Sequence, residues 1–331
     1  MKRLITLSHP MVDILVRCEH ALLSKFNLTP GTYGMLDRAG QDTLIAACDL
    51  SMLTITSGGS AANSAACAGL LGVPTTFMGL AGEDRYGQLF HAEFEKIGVT
   101  ISNAPVAQGR TGTCVSLITP DSERTMRTHL GIGSQFSPQD LDNEAIAQSE
   151  WLLLEGYFLT GSEENRLALH RAIEIARTTS TKIALSASAE FVISAKKQEL
   201  LEEILPKIDL LFANEREALL ITDSSSSDSA FLKLSQLVSG LVMTVGQRGA
   251  VVTFQGERFH QPAFVSEITA IDSTGAGDAF AGAFLAGLAQ DLPAKAAARG
   301  AARLAAAVVS QLNSRVPHNA KELFIEAVKG I

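Results

Sequence analysis

The apolar runs Trp151-Leu-Leu-Leu-Glu155, Lys182-Ile-Ala-Leu-Ser186, Ile208-Asp-Leu-Leu-Phe-Ala213 and Leu241-Val-Met-Thr-Val245 decide the fold, because helical patterns over 163–177 and 195–205 separate the first three. Strands that are apolar on both faces and alternate with helices read as βα units around a parallel sheet covered on both sides. The expected fold class is α/β, doubly wound. Working outward, the last third supplies three successive alanine-rich helices, over 276–289, 293–313 and 319–328. The N-terminal third is less regular. A strand-like start precedes a segment of mixed polarity over 19–51, and a glycine turn then leads into a small-residue helix over 61–71. Stretches 113–119 and 125–130 have strand character. The spacing predicts one domain over 1–331, in which two insertions, about 14–56 and 104–131, build a small β lid over the sheet. Lids of this kind carry specificity. The polar run Ser224–Ser229 reads as a surface loop.

The 331 residues are 46% hydrophobic and 19% charged, which is the composition of a globular chain able to bury a large core. A formal net charge of −8 argues against nucleic acid or an anionic membrane as partner, since both are held by clustered Lys and Arg. Any phosphate must therefore be gripped locally. Cys18, Cys48, Cys67 and Cys114 have no CxxC or metal-ligand spacing and read as reduced structural thiols. His9, Pro10 and Asp13 interrupt the N-terminal apolar run, and Arg299 and Arg303 break the alanine-rich stretch near residue 300. The expectation is a cytoplasmic protein without a membrane segment.

The strongest chemical signal is Asp272-Ser-Thr-Gly-Ala-Gly-Asp278 at the head of an apolar helix. Gly275 and Gly277 let the backbone approach an anion, and the amides of Gly275, Ala276 and Gly277 sit where the free N–H groups and the macrodipole of a helix start favour negative charge. Asp278 then places a carboxylate beside an anion hole, suited to taking a proton from a hydroxyl that attacks phosphorus. Alone, this tetrapeptide reads as a turn followed by a helix acid. A dinucleotide fingerprint fails because Phe280 occupies the third glycine position, and no GxxxxGK[ST] loop is present. A second cluster, Ser57-Gly-Gly-Ser-Ala-Ala-Asn63, precedes Gly79-Leu-Ala-Gly-Glu-Asp84.

Together these clusters resemble the two signatures of the PfkB carbohydrate kinase family, which includes ribokinase, fructokinases, 2-keto-3-deoxygluconate kinases and adenosine kinases. The resemblance runs nearly end to end. It implies a ribokinase-like fold, with a mostly parallel sheet flanked by helices and a small β-sheet lid. It implies that Asp278 is the catalytic base and that Gly275, Ala276 and Gly277 form the anion hole. Asp13, Gly58, Gly59 and Asn63 match substrate-contacting positions, and Arg124 matches a lid arginine that reaches phosphate. Asn214 and Glu217, in Asn-Glu-Arg-Glu, fit the NxxE motif that positions Mg2+, with Glu217 acting through water. Thr244, Gly246 and Gly249 resemble the nucleotide-facing strand end and turn.

Two departures are visible. Ser8-His9 stands where nucleoside-kinase members often have Gly-Asn, and Asn313-Ser-Arg-Val316-Pro stands where the family often has Gly-Ala after its penultimate helix. The second leaves open the monovalent-cation (K+) site that some relatives build from Asp272 and the later loop. The implied activity is ATP-dependent, Mg2+-assisted phosphorylation of a small molecule. The lid segment over 123–131 and Leu154-Glu-Gly-Tyr157 look more like the adenosine-kinase branch, so a nucleoside 5′-hydroxyl is the first expectation. A free sugar such as ribose, fructose or 2-keto-3-deoxygluconate is the alternative. Asp278 and the NxxE pair speak against a non-catalytic binding protein on the same scaffold, and the absent fingerprint speaks against a dinucleotide-dependent oxidoreductase. A monomer or a lid-clasped homodimer both fit the sequence.

Overall fold

In the computed structural model, which describes residues 3–49, 51, 53–121, 123–265 and 269–330, the alternating apolar runs become neighbouring strands. The large sheet has the order β14 (Glu257–Gln261), β13 (Ala250–Phe254), β12 (Leu241–Thr244), β11 (Leu210–Asn214), β10 (Lys182–Ser186), β9 (Trp151–Glu155), β1 (Leu4–Leu7), β5 (Thr75–Met78) and β6 (Val99–Ile101). Pairing is parallel from β12 through β6 and antiparallel along β12, β13 and β14. Successive strand residues face opposite layers. In β9, Leu152 and Leu154 enter one core layer and Trp151 and Leu153 the other, and in β11 Leu211 and Ala213 oppose Leu210 and Phe212 in the same way. This two-sided burial is why both runs are apolar without alternation.

One layer comprises helices Glu163–Thr179, Glu190–Glu199, Glu215–Thr222 and Ser227–Leu237, and the other Ser60–Leu70, Ala276–Ala289, Ala294–Val309 and Ala320–Lys329. Each large apolar side chain so buried contributes about 1.5–3 kcal/mol before entropy is set against it. The helix pattern over 195–205 starts earlier, at Glu190, and widens into a π turn over Leu200–Ile204, just before Pro206, which has no N–H with which to continue the helix. The polar run over 224–229 is only half a loop: the Ser226 hydroxyl accepts from Ser229 N (3.4 Å) and opens the helix Ser227–Leu237. The helix expected to reach 313 ends at Val309. Ser310 Oγ turns back to the Ala307 carbonyl (2.8 Å), and Asn313 Oδ1 accepts from Arg315 N (2.9 Å), so local side-chain bonds replace the helical ladder.

A second sheet has the order β3 (Tyr33–Met35), β8 (Arg124–His129), β7 (Gly112–Ile118), β2 (Met11–Arg17) and β4 (Leu53–Gly58). Val12, Ile14, Val16, Val115 and Leu117 bury one face of it against Leu23 and Leu44 of the helices His20–Lys25 and Arg38–Ala46. The mixed-polarity segment over 19–51 thus holds these two helices and β3. Alternate residues, Met11 and Asp13 of β2, Cys114 of β7 and Tyr33 of β3, line a cavity on the other face. Positions 50, 52 and 122, within the expected lid segments, lie outside the described residues.

Candidate active site

Parallel strands of such a sheet end on one side, where their C-terminal residues and the first turns of the following helices face a crevice. Glu155 ends β9, Ser186 ends β10, Asn214 ends β11 and Thr244 ends β12, and all four line a cavity of about 400 Å³ shared with the second sheet. Such a volume accommodates a small organic ligand.

Asp278 stands in the first turn of the helix Ala276–Ala289. Ser60 Oγ donates to its Oδ1 (2.7 Å), Asn63 Nδ2 to its Oδ2 (2.9 Å), and Ser64 Oγ to its carbonyl (2.8 Å). Two helix starts, Ser60–Leu70 and Ala276–Ala289, are therefore stitched together at this carboxylate. Burial pushes its carboxyl from 3.8 up to about 6; the hydrogen bonds from Ser60 and Asn63 and the charge of Arg315 act against the rise, and Glu155 adds to it. Asn63 Oδ1 is buried and carries no hydrogen bond, so the amide donates to Asp278 and holds an acceptor ready.

The loop before this helix turns sharply at a glycine. Gly275, its N-cap, has φ 82°, and a methyl group there would also collide with the Ser314 backbone. The Ala276 N–H turns back to the Ser273 carbonyl (3.2 Å), whereas Gly277 and Asp278 carry first-turn amides without an i−4 partner. Nothing lies within 4 Å of the place where a Cβ on Gly277 would stand.

On the opposite wall, Asp13 projects from the middle of β2, and Gly58 lies beside its carboxylate so closely that a methyl group would strike it. Burial pushes Asp13 up to about 6, against the pull of Arg315, the Ser314 hydroxyl and Arg124. Gly59 is the N-cap of the helix Ser60–Leu70. Asn214 and Glu217 form a reciprocal capping box: Glu217 N donates to Asn214 Oδ1 (2.9 Å) and Asn214 N to Glu217 Oε2 (2.8 Å). The Glu217 side chain is buried, and burial raises its carboxyl to about 7 against the Asn214 N–H, with Asp278 and Glu190 adding to the rise. A carboxylate raised by a second one is a place where a cation gains. The Glu217 carboxylate and the Asn214 amide line the cavity side by side, hard oxygen donors of the kind that Mg2+ takes together with water.

Of the residues singled out from sequence, Asp13, Gly59, Asn63, Asn214, Glu217, Thr244, Gly275, Gly277 and Asp278 line the one cavity. Gly58 and Ala276 stand just behind its wall, and Gly246 and Gly249 make the turn between β12 and β13. Arg124 reaches from β8 to Asp272 (2.5 Å) and to Thr274 Oγ1 (3.3 Å), so it bridges the second sheet and the loop before the helix Ala276–Ala289. Sequence reasoning missed Ser60, although it lies three residues before Asn63 and so on the same helix face. It also missed Glu155, a carboxylate buried at the end of an apolar strand, which accepts from Ser8 Oγ (2.7 Å), His9 N (3.0 Å) and Ala61 N (3.0 Å). Tyr33 and Phe191 were missed too, and no motif marks them, while Tyr157 stood in the stretch Leu154-Glu-Gly-Tyr157 without a role of its own: Tyr33 stacks on Phe191 (4.8 Å, 10°), with Tyr157 at 5.9 Å from Phe191.

Known proteins resemble this chain over most of its length. Residues 47–321 match the model of the pfkB family carbohydrate kinases. Adenosine kinase of Saccharomyces cerevisiae is 28% identical over 304 residues, covering 86% of this chain and 88% of its own. Ribokinase of Haemophilus influenzae is 28% identical over 243 residues, covering 71% and 74%. The crystal structure of adenosine kinase from Sinorhizobium meliloti superposes with a TM-score of 0.90 at 27% identity, over 98% of this chain and 99% of that one. With the matching segment spanning most of the sequence and the ribokinase-like α/β architecture in place, the chain belongs to the pfkB family of carbohydrate kinases.

Proposed function

We propose that the protein transfers the γ-phosphoryl group of ATP to the 5′-hydroxyl of a nucleoside, with Asp278 as the base. The observation that carries the acceptor class is the aromatic cluster. Tyr33, Tyr157 and Phe191 wall the same cavity whose other side presents Asp13, Asn63 and Asp278. A flat base with a polyhydroxylated sugar attached matches such a two-natured pocket, and Phe191, 39% exposed, gains cover from a stacking ligand. The adenosine kinases among the relatives support the same reading, and the longer match to them than to ribokinase favours it. A free sugar is the second reading, supported by the carboxylates at the polar end and by the ribokinase likeness.

In this mechanism Asn63 Oδ1 and Asp13 hold the sugar hydroxyls. Asp278, kept in place by Ser60 and Asn63, takes the hydroxyl proton as the oxygen bonds to the γ-phosphorus and the bond to the β,γ-bridging oxygen breaks, releasing ADP. With its carboxyl at about 6, Asp278 is ionised near neutrality yet more basic than an exposed aspartate. The Gly277 and Asp278 amides face the charge that develops on the transferring group. Glu217, through water, and Asn214 would hold Mg2+, whose chemistry is to neutralise phosphate charge and fix phosphate geometry. A panel of nucleosides and free sugars in a coupled ADP-release assay tests the reading. Turnover of adenosine or a close analogue well above any sugar is expected, and phosphorylation of ribose or fructose with no nucleoside turnover overturns it.

A further inference from the structure

The segment after the helix Ala294–Val309, which departs from the family pattern, crosses directly behind the catalytic pocket. Arg315 is its anchor. Its guanidinium donates from Nε to the Ser57 carbonyl (3.2 Å), from Nη1 to the Ala62 carbonyl (2.9 Å) and from Nη2 to Ser57 Oγ (2.7 Å). It lies 4.9 Å over the ring of Phe94, and Ser57 Oγ in turn donates to Glu93. The three prongs tie the end of β4 to the first turn of the helix Ser60–Leu70. That turn presents Ser60 and Asn63 to the two oxygens of Asp278. The preceding residue, Ser314, packs its backbone against Gly275 and points its hydroxyl at Asp13 Oδ2 (3.4 Å).

We propose that Arg315 is a positioning residue for phosphoryl transfer, its three-pronged clamp fixing the turn that aims Ser60 and Asn63 while its charge stands behind Asp13 and Asp278. This rests on the reading of Asp278 as the base. The ionisable groups that act on or feel Asp278 from the surrounding elements are Glu155 of β9, Glu217 at the head of its helix, Tyr157, and Arg315 itself. Arg315 is the cation of that set. Its charge also acts on Asp13, and burial in turn pulls the guanidinium down to about 10 against the opposing effects of Glu93, Asp13 and Asp278. A planar fork is required for the clamp, because lysine keeps the charge as a point and cannot hold three acceptors in one plane.

The test compares wild type, Arg315→Lys and Arg315→Met in the pH profile of kcat/KM, with MgATP and adenosine, and includes Asp278→Asn as reference. For Arg315→Met the acidic limb is expected to move to higher pH, since losing a nearby cation makes the base easier to protonate. Its kcat is expected to fall at least tenfold with a smaller change in KM. For Arg315→Lys the limb stays near that of wild type while kcat still falls, which separates charge from clamp. A folded Arg315→Met variant with the wild-type limb and kcat overturns the proposal. If Arg315→Met yields no folded protein, Arg315→Lys decides, and a wild-type kcat in it overturns the clamp. Should Asp278→Asn retain wild-type turnover, the reading of the base fails; should it be inactive while both Arg315 variants are unchanged, only the role of Arg315 fails.

Discussion

Replacing Asp278 by Asn is expected to inactivate the protein and stabilise it at the same time. In the folded state the Asp278 carboxyl is raised from 3.8 to about 6, with burial as the largest cause. Between those values the folded chain holds a proton that the unfolded chain has released, so stability falls as pH rises through the window and the cost is complete above about pH 6. Two units at about 1.36 kcal/mol each set an upper limit of ~3 kcal/mol on that cost at pH 7.5. Asparagine removes the charge but cannot accept from both Ser60 Oγ and Asn63 Nδ2, which returns about 1 kcal/mol of lost hydrogen bonding. The net gain expected is therefore about 1–2 kcal/mol at pH 7.5, a rise of a few degrees in Tm, shrinking toward zero or reversing at pH 4. Turnover should fall by about 10²–10⁴-fold. Urea melts of both proteins at pH 7.5, 6 and 5, with steady-state rates at pH 7.5, make the comparison. A variant less stable than wild type by the same amount at every pH would refute the account of a desolvated base, and near-wild-type turnover would refute its catalytic role.

Three further outcomes follow from the same geometry. Phe191→Ala removes one partner of the Tyr33 stack and should raise KM for adenosine up to about tenfold with little change in kcat, while leaving any activity on free ribose unaltered. Glu217→Gln keeps an acceptor for the capping box but removes the carboxylate, so the Mg2+ concentration for half-maximal rate should rise about tenfold or more, while Tm above neutral pH should hold or rise, because burial already raises this carboxyl to about 7. Gly275→Ala forces a side chain into φ 82° against Ser314, which should cost about 1–3 kcal/mol in a denaturant melt and abolish turnover.

The large sheet was readable because each apolar run serves two layers at once, and no exposed strand or helix pattern imitates that demand. Leu152 and Leu154 on one side and Trp151 and Leu153 on the other leave no polar position in β9 until Glu155. The phosphate end was readable for a related reason. Backbone chemistry at a helix start requires particular residues, so Gly275, Gly277 and Asp278 stand together in sequence as they do in space. The acceptor end obeys no such rule. Tyr33 lies on β3 of the second sheet and Phe191 on the helix Glu190–Glu199 that covers the first, so their stack depends on how the second sheet is set over the first. Side chains that meet only through tertiary packing carry no local signature, which is why a motif reading locates the reacting centre but leaves the walls around it blank.

The segment over 310–316 shows how a departure from a pattern acquires its physical meaning. Read as sequence, Asn313-Ser-Arg-Val316-Pro is a place where a familiar Gly-Ala is missing. In space it is the point where the C-terminal third touches the N-terminal signature: Ser314 packs on Gly275 and reaches Asp13, and Arg315 grips Ser57 and Ala62. The two signatures are more than two hundred residues apart in the chain, and Asp278 is bonded across that gap by Ser60 and Asn63. Such a carboxylate remains aimed only if both helix starts are held against a common support. Arg315 and Ser314 make contact with both, so the residues that look least like the family are the ones placed to keep its catalytic geometry together.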